Sequence, residues 1–166
     1  MTKDILQFFP LNSNGEVKGL FETPLSQRPW SDQVKKSIHG VSYTKFYDAN
    51  DVKLSEKNTL LDMFHGWCKD FMFYFYKKNP DWTPCLLRRD GFYQSLVHAF
   101  CFKILEDGRI LFADARGITD NCLDFFDDFK FSKNNMQLIY PKDIKDVVIN
   151  NYDDCVRAYK HIFGDN

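Results

Sequence analysis

Residues 68–78, CKDFMFYFYKK, have the length of a short helix and carry apolar side chains on every side of it. Their centre, residues 71–76, consists of aromatic residues and one methionine. A helix that is apolar all round is normally buried inside a protein. Gly66 interrupts the chain before this segment, and Pro80 disfavours helical backbone at the residue before it. The sequence therefore predicts a central buried helix from about Cys68 to Lys78.

The composition favours one globular domain and excludes several other classes. The chain has 166 residues, of which 44% are hydrophobic, with 17 Phe, 8 Tyr and 3 Trp, so one packed core is expected and bulk disorder is not. The 22 Lys and Arg residues are balanced by 23 Asp and Glu residues, which leaves no basic excess for a nucleic-acid partner. No apolar run is long enough for a bilayer, so no membrane partner is expected.

The cysteines and the N-terminus predict a cytoplasmic protein. The chain has five scattered cysteines, an odd number that argues against a disulfide framework. The N-terminal apolar stretch is too short for a signal peptide and lacks a small-residue cleavage site. We therefore expect reduced thiols.

Hydrophobic periodicity and turn residues predict an α+β fold with a mostly antiparallel sheet. Residues 1–50 are expected to form an irregular arm with short strands, and residues 55–166 the catalytic core of a single domain, 1–166. The other expected elements are an edge strand at 39–48, a helix capped by Ser55, a hairpin over 96–115, an acidic helix at 120–129, a strand at 136–140, Pro141 as a first helical residue, and a last helix that contains Tyr152, Cys155, Tyr159 and Phe163.

The hairpin has two possible registers. A two-residue loop, Asp107-Gly108, would place His98 and Asp114 on opposite faces of the sheet. A three-residue loop that begins at Glu106 would place them on one face as diagonal neighbours, together with a continuous apolar strip. We prefer the three-residue loop because it brings almost all the large apolar side chains to one side.

Cys68, His98 and Asp114 together suit nucleophilic catalysis. A thiol attacks as a thiolate, and a helix N-terminus and a nearby imidazolium both lower its pKa. Cys68 stands at the predicted helix start, where its own backbone N–H is a candidate oxyanion donor. His98 would act as general base and acid, and Asp114 would orient the imidazole.

These residues resemble a known superfamily. Residues 66–71, GWCKDF, resemble the nucleophile segment of transglutaminase-like proteins, in which a cysteine opens a helix after a glycine and precedes a basic residue, an aspartate and an aromatic residue. HAF at 98–100 and FAD at 112–114, in two strands joined by an Asp-Gly turn, resemble the His–Asp hairpin of that superfamily. The resemblance covers the middle third of the chain. It implies a papain-like (transglutaminase-like) fold, in which a central Cys-bearing helix packs on an antiparallel sheet.

The resemblance also implies an activity. A cysteine hydrolase or acyltransferase of this type acts on amide bonds of a protein or peptide through a thioester, as a thiol peptidase, a deamidase or a transglutaminase. Cys68, His98 and Asp114 would be catalytic, and no cofactor or metal is expected. Trp67, beside the cysteine, is a candidate substrate-binding residue. Arg116 is another, since it could bind a substrate carboxylate, or it could instead pair with Asp114 and compete with His98.

Other interpretations of the same residues remain open. Taken singly, Cys68 suits a buried small side chain, His98 a core histidine and Asp114 a turn cap. The aromatic surplus also suits a non-catalytic protein-binding module on the same fold. The His-x-x-Cys pairs at 65–68 and 98–101 contain the four ligands of a structural zinc site. However, positions three apart in a strand point to opposite faces, which disfavours zinc at the second pair.

Overall fold

The computed structural model describes residues 49–88, 96–106, 110–120, 125, 136–138 and 146–164. The elements in these ranges are a 3-10 turn (Leu60–Met63), α1 (Cys68–Lys78), β1 (Thr83–Arg88), β2 (Leu96–Ile104), β3 (Ile110–Asp114), β4 (Gly117–Thr119), β5 (Met136–Leu138) and α2 (Tyr152–Phe163). The five described strands form a single antiparallel sheet in the order β4-β3-β2-β1-β5. Helix α1 packs on this sheet and helix α2 packs on α1, which confirms the α+β class.

Helix α1 begins at Cys68 and ends at Lys78, as the sequence predicts. Gly66 has a φ of +103°, a backbone conformation that only glycine adopts easily, and this turns the chain into the helix. Asn79 closes the other end, where its backbone N–H donates to two carbonyls of the last turn. Pro80 follows and cannot continue the helix. Local signals at both ends therefore fix where α1 lies.

One side of α1 contacts the sheet and the other contacts α2. Towards the sheet, the thiol of Cys101 on β2 lies 3.7 Å from the carbonyl oxygen of Met72 and donates to it. Towards α2, the ring of Tyr74 packs edge-on against that of Tyr159, with 5.5 Å between the centroids. All five residues of α1 from Phe71 to Phe75 are buried as a result, which explains why this helix is apolar on every side.

An aromatic cluster covers the opposite face of the sheet. Phe100 on β2 lies beside Cys101, so its side chain points away from α1. Its ring packs against that of Phe125 at 5.1 Å, and the ring of Phe112 on β3 stacks on Phe125 at 4.9 Å. All five residues of β3 are buried. The site residues described below lie at one end of this cluster.

Helix α2 confirms the last helix of the sequence analysis. Its buried residues include Cys155, Tyr159 and Ile162, which recur at helical spacing. It ends at Phe163 and is followed by Gly164, which has a φ of +84°. Neither α1 nor α2 has the length and apolar character that crossing a bilayer would require, and no other helix among the described residues has them.

Ser55 does not cap a helix, contrary to the sequence prediction. Its hydroxyl accepts hydrogen bonds from the backbone N–H groups of Lys57 and Asn58, in a turn outside any helix. Thr59 instead precedes the short 3-10 turn, where its backbone N–H donates to the carboxylate of Asp62 at 2.7 Å. Ser55 therefore does cap backbone N–H groups, but these belong to a turn and not to the start of a helix.

Two strands were not predicted, and several predictions lie outside the described residues. The two strands are β1, which contains Pro84, and β4, which is only three residues long. The predicted strand at 136–140 is confirmed for residues 136–138. The strand predicted at 39–48 and Pro141 lie outside the described residues. The arm is described only at residues 49–50, and the helix predicted at 120–129 only at Asp120, which is not helical, and at Phe125.

Candidate active site

Cys68 is the first residue of α1 and lies close to the surface. Its residue exposure is 7%, whereas Cys85, Cys101 and Cys155 have an exposure of 0%. The residues on both sides of it in the chain, Trp67 and Lys69, are exposed. A reagent in solvent therefore approaches Cys68 more easily than any other described cysteine.

The β2–β3 register is the one that we preferred from the sequence. Ile104 lies opposite Ile110, and Cys101 lies opposite Ala113, which corresponds to the three-residue loop. Residues 107–109, which include the last two residues of this loop, lie outside the described residues. In this register His98 and Asp114 share the face of the aromatic cluster, as predicted.

His98 and Asp114 form a buried hydrogen-bonded pair. Nε2 of His98 lies 2.8 Å from Oδ2 of Asp114, and both residues are almost fully buried. Burial lowers the pKa of His98, although the neighbouring carboxylate opposes the shift. Burial alone would raise the pKa of Asp114, but the charge of Arg116 and the hydrogen bond from His98 outweigh it and lower this pKa to about 2. The pair is therefore a neutral imidazole beside a carboxylate.

Arg116 binds the other side of the Asp114 carboxylate. Its Nε lies 3.0 Å from Oδ1 and 2.9 Å from Oδ2, and its Nη2 also donates to Oδ2. The backbone N–H of Arg116 donates to Oδ1 at 2.8 Å, so Asp114 also caps the turn between β3 and β4. The turn-capping and the imidazole-orienting interpretations of Asp114 are thus compatible in one geometry.

Arg116 was predicted either to bind a substrate carboxylate or to pair with Asp114. The structure has the second arrangement, and Arg116 does not displace His98 from the carboxylate. The exposure of Arg116 is 0%, so its guanidinium cannot contact a substrate carboxylate in this conformation. The signal for this pairing was present in the sequence, since an Asp-Ala-Arg-Gly segment suits a tight hairpin turn with its aspartate and arginine side by side.

The surroundings of Cys68 connect it to the His98–Asp114 pair. The backbone N–H of Ala99, the residue after His98, lies where it can donate to the Cys68 sulfur, and Asp114 is close enough for its charge to affect the thiol. Burial raises the pKa of Cys68 to about 11, and this effect exceeds the opposing influence of Ala99 and of the first amides of α1. The lowered pKa that we expected from the helix start is therefore not found, because desolvation dominates. The resting thiol is neutral.

Trp67 presents an exposed aromatic side chain directly before Cys68 in the chain. It is 38% exposed, although tryptophan is normally well buried. His65 and Gly66 are exposed beside it. The role of Trp67 in substrate binding stays a prediction.

The proposed zinc ligands do not converge among the described residues. Cys101 faces α1, where its thiol lies against the Met72 carbonyl, whereas His98 faces Asp114 on the other side of the sheet. His65 is exposed and lies in the turn before α1. Within the described part of the chain, no three His, Cys, Asp or Glu side chains are grouped closely enough to hold a metal ion.

Two aromatic rings near the pair were not predicted. Phe64 and Phe125 each face the guanidinium of Arg116, with 4.4 and 4.7 Å from its central carbon to the ring centroids. Both rings also lie against the imidazole of His98.

In comparisons with known proteins, neither a family model nor a curated protein nor a solved structure matches the chain.

Proposed function

We propose that this protein is a cysteine-dependent acyl-transfer enzyme that cleaves or exchanges amide bonds of a protein or peptide, with Cys68 as nucleophile. The observation that carries the proposal is the buried hydrogen bond between His98 and Asp114 on one face of a hairpin. Cys68 opens α1 nearby, with its sulfur within reach of the backbone N–H of Ala99, the residue after His98. A carboxylate that orients an imidazole is the arrangement on which activation of a nucleophile depends. The Cys-bearing helix packed on an antiparallel sheet supports a papain-like, transglutaminase-like arrangement.

The reaction begins from neutral groups. As the Cys68 sulfur attacks the amide carbonyl carbon, its proton moves to Nδ1 of His98, and a C–S bond forms. The C–N bond then breaks, and the amine leaves with the proton that His98 returns. The resulting thioester is attacked by water, which gives a carboxylic acid, or by a second amine, which gives a new amide. In both cases His98 removes the proton from the acceptor, the C–S bond breaks, and His98 returns that proton to the Cys68 sulfur, which restores the resting thiol.

Backbone amides at the start of α1 suit the developing oxyanion. The first N–H groups of a helix have no partner within it, and they lie at the positive end of its dipole. The amides of Cys68 and Lys69 already lie near the sulfur and lower its pKa. The same donors can stabilise negative charge on a carbonyl oxygen attacked by that sulfur.

The test measures the alkylation rate of Cys68 by iodoacetamide against pH. When a neutral base takes the thiol proton, a small, pH-independent fraction of thiolate–imidazolium pairs gives a rate plateau below the thiol pKa. With His98→Ala this plateau should disappear, and the rate should rise about tenfold per pH unit as free thiolate forms. A wild-type protein that also lacks the plateau would refute the proposal.

Matched cysteine variants and a chemical assay complete the experiment. Cys68→Ala should remove the fast label, whereas Cys155→Ala, which changes a fully buried thiol, should leave it unchanged. Glutamine peptides, with and without an added primary amine, then separate the activities by mass: chain cleavage, conversion of amide to acid, or addition of the amine. Turnover that survives in the Cys68→Ala variant would also overturn the proposal.

The high pKa of Cys68 and the burial of His98 also favour a second candidate, a non-catalytic protein-binding module. In that case the pair holds β2 and β3 together, and Trp67 contributes to a contact surface. Slow labelling of every cysteine at a similar rate in the native protein would support this alternative.

A further inference from the structure

Arg116 makes more contacts with the Asp114 carboxylate than an ordinary salt bridge requires. Its Nε lies within 3.0 Å of both carboxylate oxygens, and its backbone N–H holds Oδ1. A further Nη2 donor reaches the carbonyl oxygen of Phe125 at 3.1 Å. With an exposure of 0%, the guanidinium has no contact with bulk solvent. Arg116 is therefore built into the site as a fixed part.

We propose that Arg116 is a positioning residue which, by holding Asp114 as a carboxylate, fixes His98 in the tautomer that carries its proton on Nε2. This inference rests on the proposed function, because it assigns to the other nitrogen, Nδ1, the task of accepting the Cys68 proton. The geometry that carries it is the chain of contacts from Arg116 through Asp114 to His98.

The tautomer follows from the donors and acceptors of the three groups. An ionised carboxylate can only accept hydrogen bonds, so the proton between Oδ2 and Nε2 belongs to His98. A neutral imidazole has one ring proton, and Nδ1 is then an acceptor. If Asp114 were protonated, it could donate to Nε2 and shift the proton of His98 to Nδ1, which would leave no base for the thiol. By stabilising the carboxylate, Arg116 prevents this alternative.

The charge of Arg116 has a second effect on His98. The titratable groups around the imidazole are Asp114, which favours its protonation, and Arg116 and His65, which disfavour it. Cys68 completes the set and is neutral at rest. Burial is the main cause that lowers the pKa of His98, and Arg116 and His65 act in the same direction. Arg116 thus offsets part of the effect of Asp114 and, together with burial, favours the unprotonated imidazole.

Two rings hold the guanidinium plane in position. Phe64 and Phe125 face it at 4.4 and 4.7 Å. Stacking of this kind suits a flat guanidinium, and an ammonium group could neither stack nor bind both carboxylate oxygens at fixed angles. Arg116→Lys is therefore not expected to restore the geometry in full, although it restores the charge.

The experiment reads the tautomer of His98 directly. In ¹⁵N-labelled protein, imidazole nitrogen shifts and their couplings to ring protons distinguish Nε2–H from Nδ1–H and from imidazolium. We expect Nε2–H in the wild type, a mixture or imidazolium at neutral pH in Arg116→Gln, and an intermediate result in Arg116→Lys. Wild-type protein with the proton on Nδ1 overturns the inference without any variant, so it stays testable even if Arg116→Gln does not fold.

The same variants separate this inference from the proposed function. The alkylation plateau of Cys68 should fall about 100-fold in Arg116→Gln, since a general base contributes roughly that much or more, and part of it should return in Arg116→Lys. An unchanged His98 tautomer and plateau in a folded Arg116→Gln protein refute the inference alone. An inert Cys68 in a wild-type protein that has the Nε2–H tautomer refutes the proposed function and leaves the Arg116 assignment standing.

Discussion

The ring of Phe64 lies directly over the guanidinium of Arg116, 4.4 Å from its central carbon. The same ring meets the imidazole of His98 nearly edge-on, with 5.0 Å between centroids. Phe64 stands two residues before Gly66, in the turn that leads into α1. A single side chain thus connects the segment that carries Cys68 to both partners of Asp114.

Phe64→Ala should reduce both stability and Cys68 reactivity. Phe64 is 3% exposed, and truncation of a buried phenylalanine costs about 3–5 kcal/mol. The lost ring also frees the Arg116 guanidinium to move, so the alkylation plateau of Cys68 should fall. Phe64→Leu should recover most of the stability but not the stacking. Urea unfolding and iodoacetamide kinetics measure the two effects.

The control for Phe64 is Phe75→Ala, which removes an equally buried ring between α1 and α2. It should lower the free energy of unfolding by a similar amount and leave the plateau of the folded protein unchanged. Equal losses of reactivity in both variants would indicate that the effect of Phe64 is only a general loosening of the fold.

The His98–Asp114 pair should make the protein sensitive to acid in two steps. Both groups have a lowered pKa in the folded state, so both contribute stability above their unfolded pKa that is lost as the pH falls. For His98 the loss begins near pH 6.5. For Asp114 it begins near pH 3.8 and continues to about pH 2, with about 2 kcal/mol at stake. Urea midpoints measured between pH 2 and pH 8 should show this decline.

Asp114→Asn separates the two steps. It removes the step at low pH. It should also destabilise the protein at neutral pH, because Arg116 becomes a buried cation without a carboxylate. Losing one partner of a buried pair costs about 3–5 kcal/mol. An Asn variant that matches the wild type at neutral pH would contradict the assigned role of the carboxylate.

Gly66→Ala should be destabilising through backbone strain alone. A Cβ at this position would contact nothing within 4 Å, but the φ of +103° is unfavourable for any residue with a side chain. Such strain costs about 1–3 kcal/mol. Gly164 offers a matched control, since its φ is +84° and a Cβ there is also unobstructed. Both variants should lose similar stability, but only Gly66→Ala should change the alkylation rate of Cys68.

The parts of the site that could be predicted from the sequence depend on local signals. Gly66 and Pro80 mark the ends of α1 through backbone sterics, which need no knowledge of the rest of the chain. The alternation of β2 and β3 determines which side chains share a face once the loop length is chosen, so His98 and Asp114 could be paired in advance. Their catalytic role is a separate matter and stays a prediction.

The parts that were missed depend on the tertiary environment. In the sequence, Pro84 argues against a strand, because proline lacks the N–H that a central strand must donate. In the structure, the described pairs between β1 and β5 begin at Cys85, the residue after Pro84. The raised pKa of Cys68 comes from burial. It could not be predicted, because hydrophobic periodicity does not indicate how far the first residue of a helix is buried. The burial of Arg116 requires the Phe64 and Phe125 rings, which come from distant parts of the chain.

Asp70 connects the first turn of α1 to the segment before α2. Two variants should separate the effect of its hydrogen bond from the effect of its charge. Its Oδ1 accepts a hydrogen bond from the backbone N–H of Asn150 at 3.1 Å. Asp70→Ala removes this acceptor and should cost about 1–3 kcal/mol. Asp70→Asn keeps an oxygen acceptor and should cost much less. Lys77→Ala is the control, because it removes a more exposed contact to the same segment, with the carbonyl of Val147.

The pH dependence of Asp70→Asn should be opposite in sign to that of Asp114→Asn. Burial raises the pKa of Asp70, with the Asn150 N–H opposing the shift. A group with a raised folded pKa contributes stability at low pH that is lost as the pH rises through that pKa. Asp70→Asn has no such loss. The difference between its free energy of unfolding and that of the wild type should therefore shift in favour of the variant as the pH rises above about 4. Parallel urea-stability curves for the two proteins from pH 3 to pH 7 would show that the carboxylate is not held in a desolvated position.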